Sequence, residues 1–140
     1  MADVDTHILR VSLGPRLYRD IEIPSAAMLY RLAEAIVMAF NFDFDHAFGF
    51  FSRLKGNIYR SPTSYELFTD TGGRSVKRTP VAEAFAATGA KMSFLFDYGD
   101  EWLFQVEVIG RARREPGTKY PRVLKAVGEA PEQYPDAEEE

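Results

Sequence analysis

The chain of 140 residues has no cysteine, two histidines and a single tryptophan. Without cysteine there is no disulfide, no thiolate metal site and no cysteine nucleophile. Two histidines without a His-x-x-x-His spacing argue against a zinc site built on imidazoles. No run reaches the ~18 apolar residues that a membrane span needs, so no membrane partner is expected. The first residues, Met1 to His7, are polar and acidic and do not read as a secretory leader. A phosphate-binding Gly-x-x-x-x-Gly-Lys loop, a Gly-x-Gly-x-x-Gly turn and a Gly-x-Ser-x-Gly nucleophile turn are all missing, so no cofactor is expected. The net charge of −4 gives no general attraction to polyanions. These absences together predict an intracellular, cytoplasmic protein.

What is abundant is aromatic: eleven Phe and seven Tyr accompany the one Trp. The core should therefore be built largely from rings. The length predicts one domain. Alternating apolar residues predict strands over Thr6–Leu13 and Leu17–Ile23, joined at Gly14-Pro15 as a hairpin. Arg19 falls on the inward phase, near the sheet margin. Pro24-Ser25 opens a helix with Ser25 as its cap. Leu29, Leu32, Ala33, Ile36, Val37 and Phe40 form its apolar stripe, and Asn41 stops it. Six of the twelve residues from Phe40 to Phe51 are Phe, which reads as a plug between helix and sheet or as an aromatic ligand slot. Strands are expected at Phe48–Arg53, Asn57–Tyr59 and Tyr65–Phe68, with Thr71-Gly72-Gly73-Arg74 a loop. A second helix, Val81–Ala87, begins at Thr79-Pro80 and ends at Gly89. Met92–Phe96 and Trp102–Ile109 complete the sheet.

The predicted order is ββα, short strands, then αββ. It defines an α+β domain over residues 1–127, with two helices on one face of a mainly antiparallel sheet. Residues 128–140 read as an acidic, disordered tail. Charge splits along the C-terminal region. Gly110 to Lys125 carries six basic residues against Glu115, whereas Glu129 to Glu140 carries six acidic ones.

Three groups of residues can carry chemistry. The turn Asp97-Tyr98-Gly99-Asp100-Glu101 crowds three carboxylates beside Trp102. Gly99 would supply a positive φ there, and Asp97 would accept backbone N–H bonds. The same carboxylates can ligate a hard cation or raise one another's pKa. His46 follows Asp43 and Asp45, whose charges would orient its ring and raise its pKa; His7 reads as an ordinary strand residue. Arg111, Arg113, Arg114, Lys119 and Arg122, with Tyr120 interleaved, form a strip that can follow a phosphate backbone.

Three segments resemble a known family. Ala39-Phe40-Asn41-Phe42-Asp43-Phe44-Asp45-His46 with Phe50 is similar to a helix end, acidic residues and a His. Phe96-Asp97-Tyr98-Gly99-Asp100-Glu101-Trp102 is similar to a Tyr-Asp-Phe-Gly-Asp-x-Trp motif, and Tyr120-Pro121 to a late Tyr-Pro. Together they resemble the root-inducing-plasmid open-reading-frame-three-like proteins, some described as insertion-element passengers of TnpR type. Val123 stands where that family often has Cys, and Ala130-Pro131-Glu132-Gln133 replaces Pro-Pro-Glu-Asp. The resemblance implies an α+β fold and a plasmid or mobile-element setting, without an activity.

Three functions are then open, and whether the protein is an enzyme is among the questions. The first is a non-enzymatic binding module for a protein or nucleic-acid partner, acting through His46, Asp97, Tyr98, Asp100, Trp102 and Glu132. The second is a metal-assisted hydrolase using Asp97, Asp100, Glu132 and His46. The third is a nucleic-acid binder using the strip Arg111–Lys125.

Overall fold

This computed structural model describes residues 4–68 and 74–134. In chain order the elements are β1 (Thr6–Gly14), β2 (Leu17–Pro24), α1 (Leu29–Ala39), β3 (Phe48–Phe51), a 3-10 turn (Ile58–Arg60), β4 (Ser64–Glu66), β5 (Arg74–Ser75), α2 (Val81–Ala84), β6 (Lys91–Phe96), β7 (Trp102–Ala112) and β8 (Arg122–Val127). They build one eight-stranded sheet ordered β5-β4-β3-β6-β7-β1-β2-β8. Every neighbouring pair is antiparallel except β4 with β5. The fold is α+β. Residues of both helices pack into the one large core, against the inward residues of β1, β2, β3, β6 and β7.

The alternation in the first hairpin is what places it. Leu9, Val11, Ile21 and Ile23 are buried on the helix side, and a one-residue slip would expose all four. On α1, the stripe Leu29, Leu32, Ala33, Ile36 and Val37 is fully buried. Asn41 ends the helix in the left-handed region (φ 60°), and the Phe42 N–H bonds back to Val37 O at 2.9 Å. Arg19 lies inward as its phase demands. Its guanidinium rests on the Phe40 ring and donates to the carbonyls of Ala39, Tyr18 and Val127, so it ties α1, β2 and β8 together.

Five local expectations are corrected. Ser25 does not cap α1. The first helical N–H groups, of Leu29 and Tyr30, are taken by the carbonyls of Thr79 and Val76, so no side chain is needed there and Met28 occupies the cap position. Asn57–Tyr59 is not a strand: the Asn57 side chain accepts from Tyr59 N, and Ile58–Arg60 closes a 3-10 turn over Phe51 and Leu95 on the far side of the sheet. The second helix is one turn long, because Phe85 leaves helical geometry (φ −120°, ψ 68°) to bury its ring in the core beside Phe50. Strand β8 was hidden in the basic strip. It pairs with β2 while exposing most of its side chains, so it lacks the apolar alternation that marks a half-buried strand. Of the expected loop Thr71–Arg74, Arg74 instead opens β5 by pairing with Tyr65 of β4; residues 71–73, and 135–140 of the expected tail 128–140, lie outside the described residues. Among the described residues no helix is long and apolar enough to cross a membrane.

Candidate functional site

Strand β3 runs antiparallel to β6, so the loop entering β3 and the turn leaving β6 meet at one end of the sheet. Asp97 N donates to Ala47 O at 2.9 Å and fixes that meeting. The turn then closes with Glu101 N donating to Asp97 O. Asp97 Oδ1 accepts from the N–H groups of Gly99 and Asp100 at 3.1 and 3.2 Å. The expected amide bonds to Asp97 are present, but the expected role of Gly99 is not. The left-handed residues are Asp97 (φ 68°) and Glu101 (φ 55°). Aspartate tolerates that region because its short side chain bonds the local backbone.

The turn is held on both flanks. On one, His46 Nδ1 lies 2.7 Å from Asp45 Oδ1, and its Nε2 lies 3.5 Å from Asp97 Oδ2. Tyr134 donates its hydroxyl to Asp45 Oδ2 at 3.0 Å and sits 3.1 Å from His46 Nδ1. Gln133 locks this arrangement through the backbone of Asp43: its Oε1 accepts from Asp43 N and its Nε2 donates to Asp43 O. On the other flank, Tyr98 donates to Glu66 at 2.9 Å and Tyr59 to Glu101 at 3.2 Å. Gly49 makes room there: a Cβ at that position would stand 2.9 Å from the Tyr98 hydroxyl oxygen. Below the turn, Trp102 packs against Phe42 with ring centroids 4.8 Å apart, and its indole N–H is buried without an acceptor among the described residues.

The sequence-predicted residues are therefore only partly assembled. His46 and Asp97 meet, and the charge of Asp100 acts on His46. Tyr98 turns to the opposite flank, Trp102 lies beneath, and Glu132 is exposed with no hydrogen bond or ion pair among the described residues. Asp45 was legible as a neighbour of His46. Tyr134, Glu66 and Tyr59 were not, since nothing local marks a tyrosine that closes a site from far along the chain. Among the described residues no group of three or more His, Asp or Glu is gathered that could hold a metal ion.

The electrostatics follow from the contacts. The hydrogen bond to Asp45, aided by the charges of Asp97 and Asp100, lifts His46 above the ordinary imidazole value of 6.5. Burial pulls the Asp45 carboxyl upward, but its bonds from His46 and Tyr134 together hold it below the usual range. Burial and the Asp45 carboxylate push the Tyr134 phenol up to about 12. His7 behaves oppositely to His46, because burial drives it below 6.5 against the raising effect of the Phe85 carbonyl. A proton-NMR titration should thus show two imidazoles with midpoints on opposite sides of 6.5. A His46 midpoint at or below that value would contradict the Asp45 contact. The signs for stability are also opposed. The contribution of His46 is complete below pH 6.5 and is lost as pH rises through its raised midpoint. That of His7 is complete above 6.5 and is lost as pH falls through its lowered one.

The basic strip lies at the far end of β7, whose eleven residues span about 35 Å. Two of its members are already engaged. Arg111 donates from Nε to Thr6 O at 2.9 Å, and Arg122 pairs with the buried Glu22 and with Glu115. Arg114 and Arg122 flank the Tyr120 ring, whereas Arg113 and Lys119 are exposed.

The acidic turn lies within a chain segment matched almost whole by one family model. Residues 6–135 match the plasmid pRiA4b ORF-3-like proteins, and the chain belongs to that family. No curated protein matches it. Among solved structures it is similar to a protein of unknown function from Methanosarcina mazei Go1. That likeness has 19% identity and a TM-score of 0.72, covering 89% of this chain and 71% of that one. It is a likeness of fold.

Proposed function

We propose that the acidic, aromatic end of this protein is a binding module that does no chemistry of its own and receives a basic segment of a protein partner. The observation that carries the reading is the convergence of three loops, 42–47, 97–101 and 131–134. They bring Asp43, Asp45, Asp97, Asp100, Glu101 and Glu132 to that end with no Lys or Arg among them. The loops are joined by the bonds of Asp97 to Ala47 and of Gln133 and Tyr134 to Asp43 and Asp45, so the charges are preorganised. Exposed Tyr59, Tyr98 and Tyr134 add the amphipathic rings that binding surfaces favour. A negative surface of this kind repels a phosphate backbone. A metal-assisted hydrolase has less support, since Asp97 Oδ1 already accepts two amides and Glu132 is bonded to none of the other proposed ligands. On the family's plasmid name alone, the setting we propose is that of a cytoplasmic accessory to a mobile element.

The test is a titration with an Arg/Lys-rich decapeptide, followed by the emission of Trp102. Saturable binding should weaken with salt. Substituting Asp45→Asn and Asp100→Asn together should weaken it on the order of tenfold. If the peptide is silent while duplex DNA binds, and that binding is lost on Arg113→Glu, the reading fails in favour of the strip 111–122.

A further inference from the structure

At the opposite end of β7 from the acidic loops, a second group of side chains has the connectivity of an activated hydroxyl. His7 is 1% exposed. Its Nε2 lies 2.9 Å from Phe85 O and its Nδ1 lies 2.8 Å from Ser25 Oγ. A carbonyl only accepts, so Nε2 carries the proton and Nδ1 presents its lone pair to the Ser25 hydroxyl. Ser25, freed from capping α1, is half-buried, and its backbone is pinned by bonds to Asp5 O and from Ala82 N. Arg111 completes the group. Its Nε is fixed on Thr6 O, and its Nη2 lies 3.2 Å from Ser25 Oγ. Base, hydroxyl and cation thus come from β1, the β2–α1 connection and β7. A nucleophile bonded to a base that a third group orients is the general pattern of an activated serine.

We propose that Ser25 is a nucleophile with His7 as its general base, acting on a carboxylic ester that carries an anionic group. Ser25 Oγ bonds to the ester carbonyl carbon while its proton passes to His7 Nδ1. The tetrahedral species collapses with cleavage of the carbon–oxygen bond to the alcohol, which leaves with that proton. Water, deprotonated by the same nitrogen, then releases the acid and restores the hydroxyl. Arg111 stabilises the oxyanion forming beside Oγ. It also heads the basic strip, with Arg113 and Arg114 following, and this charge selects an anionic ester over a neutral one.

The experiment labels the full chain with a fluorophosphonate, which forms an oxygen–phosphorus bond at an activated serine and releases fluoride. The adduct is mapped by mass spectrometry. The expected result is a single adduct at Ser25, absent in Ser25→Ala. In His7→Gln the rate should fall about 10²-fold or more, the scale of general-base assistance. The rate should be level above pH 6.5 and fall only below it. The groups facing His7 are Ser25, the Phe85 carbonyl and Arg111, and its burial keeps the ring neutral. Melting curves show whether His7→Gln folds. If it does not, the pH profile of the unaltered chain decides alone. Absence of an adduct at Ser25, or a rate indifferent to His7 or to pH, overturns the proposal. Faster release of nitrophenolate from p-nitrophenyl butyrate than from p-nitrophenyl succinate overturns the substrate class.

Discussion

An Asp97→Ala variant should lose about 2–3 kcal/mol of unfolding free energy, whereas Asp97→Asn should lose under about 1 kcal/mol. Alanine leaves the Gly99 and Asp100 N–H groups without their acceptor. These groups are only part-buried, so each costs near the lower end of the usual penalty, about 1 kcal/mol. Alanine also has to hold φ 68°, which costs a β-carbon-bearing residue about 1 kcal/mol more. Asparagine keeps the oxygen acceptor and tolerates the same backbone region, so it removes only the charge. Asp97→Gly separates the two causes, because it loses the acceptor while accommodating the backbone. Urea unfolding followed by Trp102 emission gives all three values. Equal losses for Ala and Asn would mean that charge, not turn geometry, is what Asp97 contributes. In the Asn variant the His46 titration midpoint should also fall, since the Asp97 charge is one of the causes that raise it.

The sequence reading succeeded where a local rule was sufficient. Period-two alternation located β1, β2 and β7, and the stripe from Leu29 to Val37 located α1. The Asp-aromatic-Gly-Asp-x-Trp turn fell where its residues predicted. It failed where a group's partner lies far along the chain. Ser25 looks like a helix cap by position, yet the caps come from Val76 and Thr79, fifty residues away, and the hydroxyl turns to His7. His7 looks like a routine strand residue because nothing nearby in sequence announces the Phe85 carbonyl that orients it. Tyr134 sits among acidic residues that read as tail, while its hydroxyl closes the His46 site. Arg122 read as part of a polyanion surface. Its guanidinium is instead the counter-ion of Glu22, which is 2% exposed on the neighbouring strand. A basic run in sequence thus overstates the charge available to a ligand, because some of it answers carboxylates within the fold.

Replacing Phe94 with alanine should cost about 3–5 kcal/mol, the largest single effect expected in this chain. Phe94 is fully buried on β6, between β3 and β7. Its ring lies 4.7 Å from that of Phe50, 5.7 Å from Phe104 and 5.8 Å from Phe48, all at tilted angles. Offset rings of this kind contribute beyond the area they bury. The neighbours belong to a backbone fixed on both sides by ladder hydrogen bonds, so the space left by the ring cannot collapse fully. Leu103→Ala is the control. Leu103 is exposed on the opposite side of the sheet, and its loss should lie within about 0.5 kcal/mol. The comparison also decides between the two meanings of the phenylalanine-rich stretch. Phe40, Phe42, Phe48 and Phe50 are buried in the core between helix and sheet, as a close-packed plug requires, while Phe51 is buried on the far side of the sheet with Ile58 and Leu95. A plug must register the missing ring at full cost, whereas a slot kept open for an aromatic ligand would register it weakly. A Phe94→Ala loss below about 1.5 kcal/mol would restore the slot, since that lies well under the range for a ring removed from a packed interior.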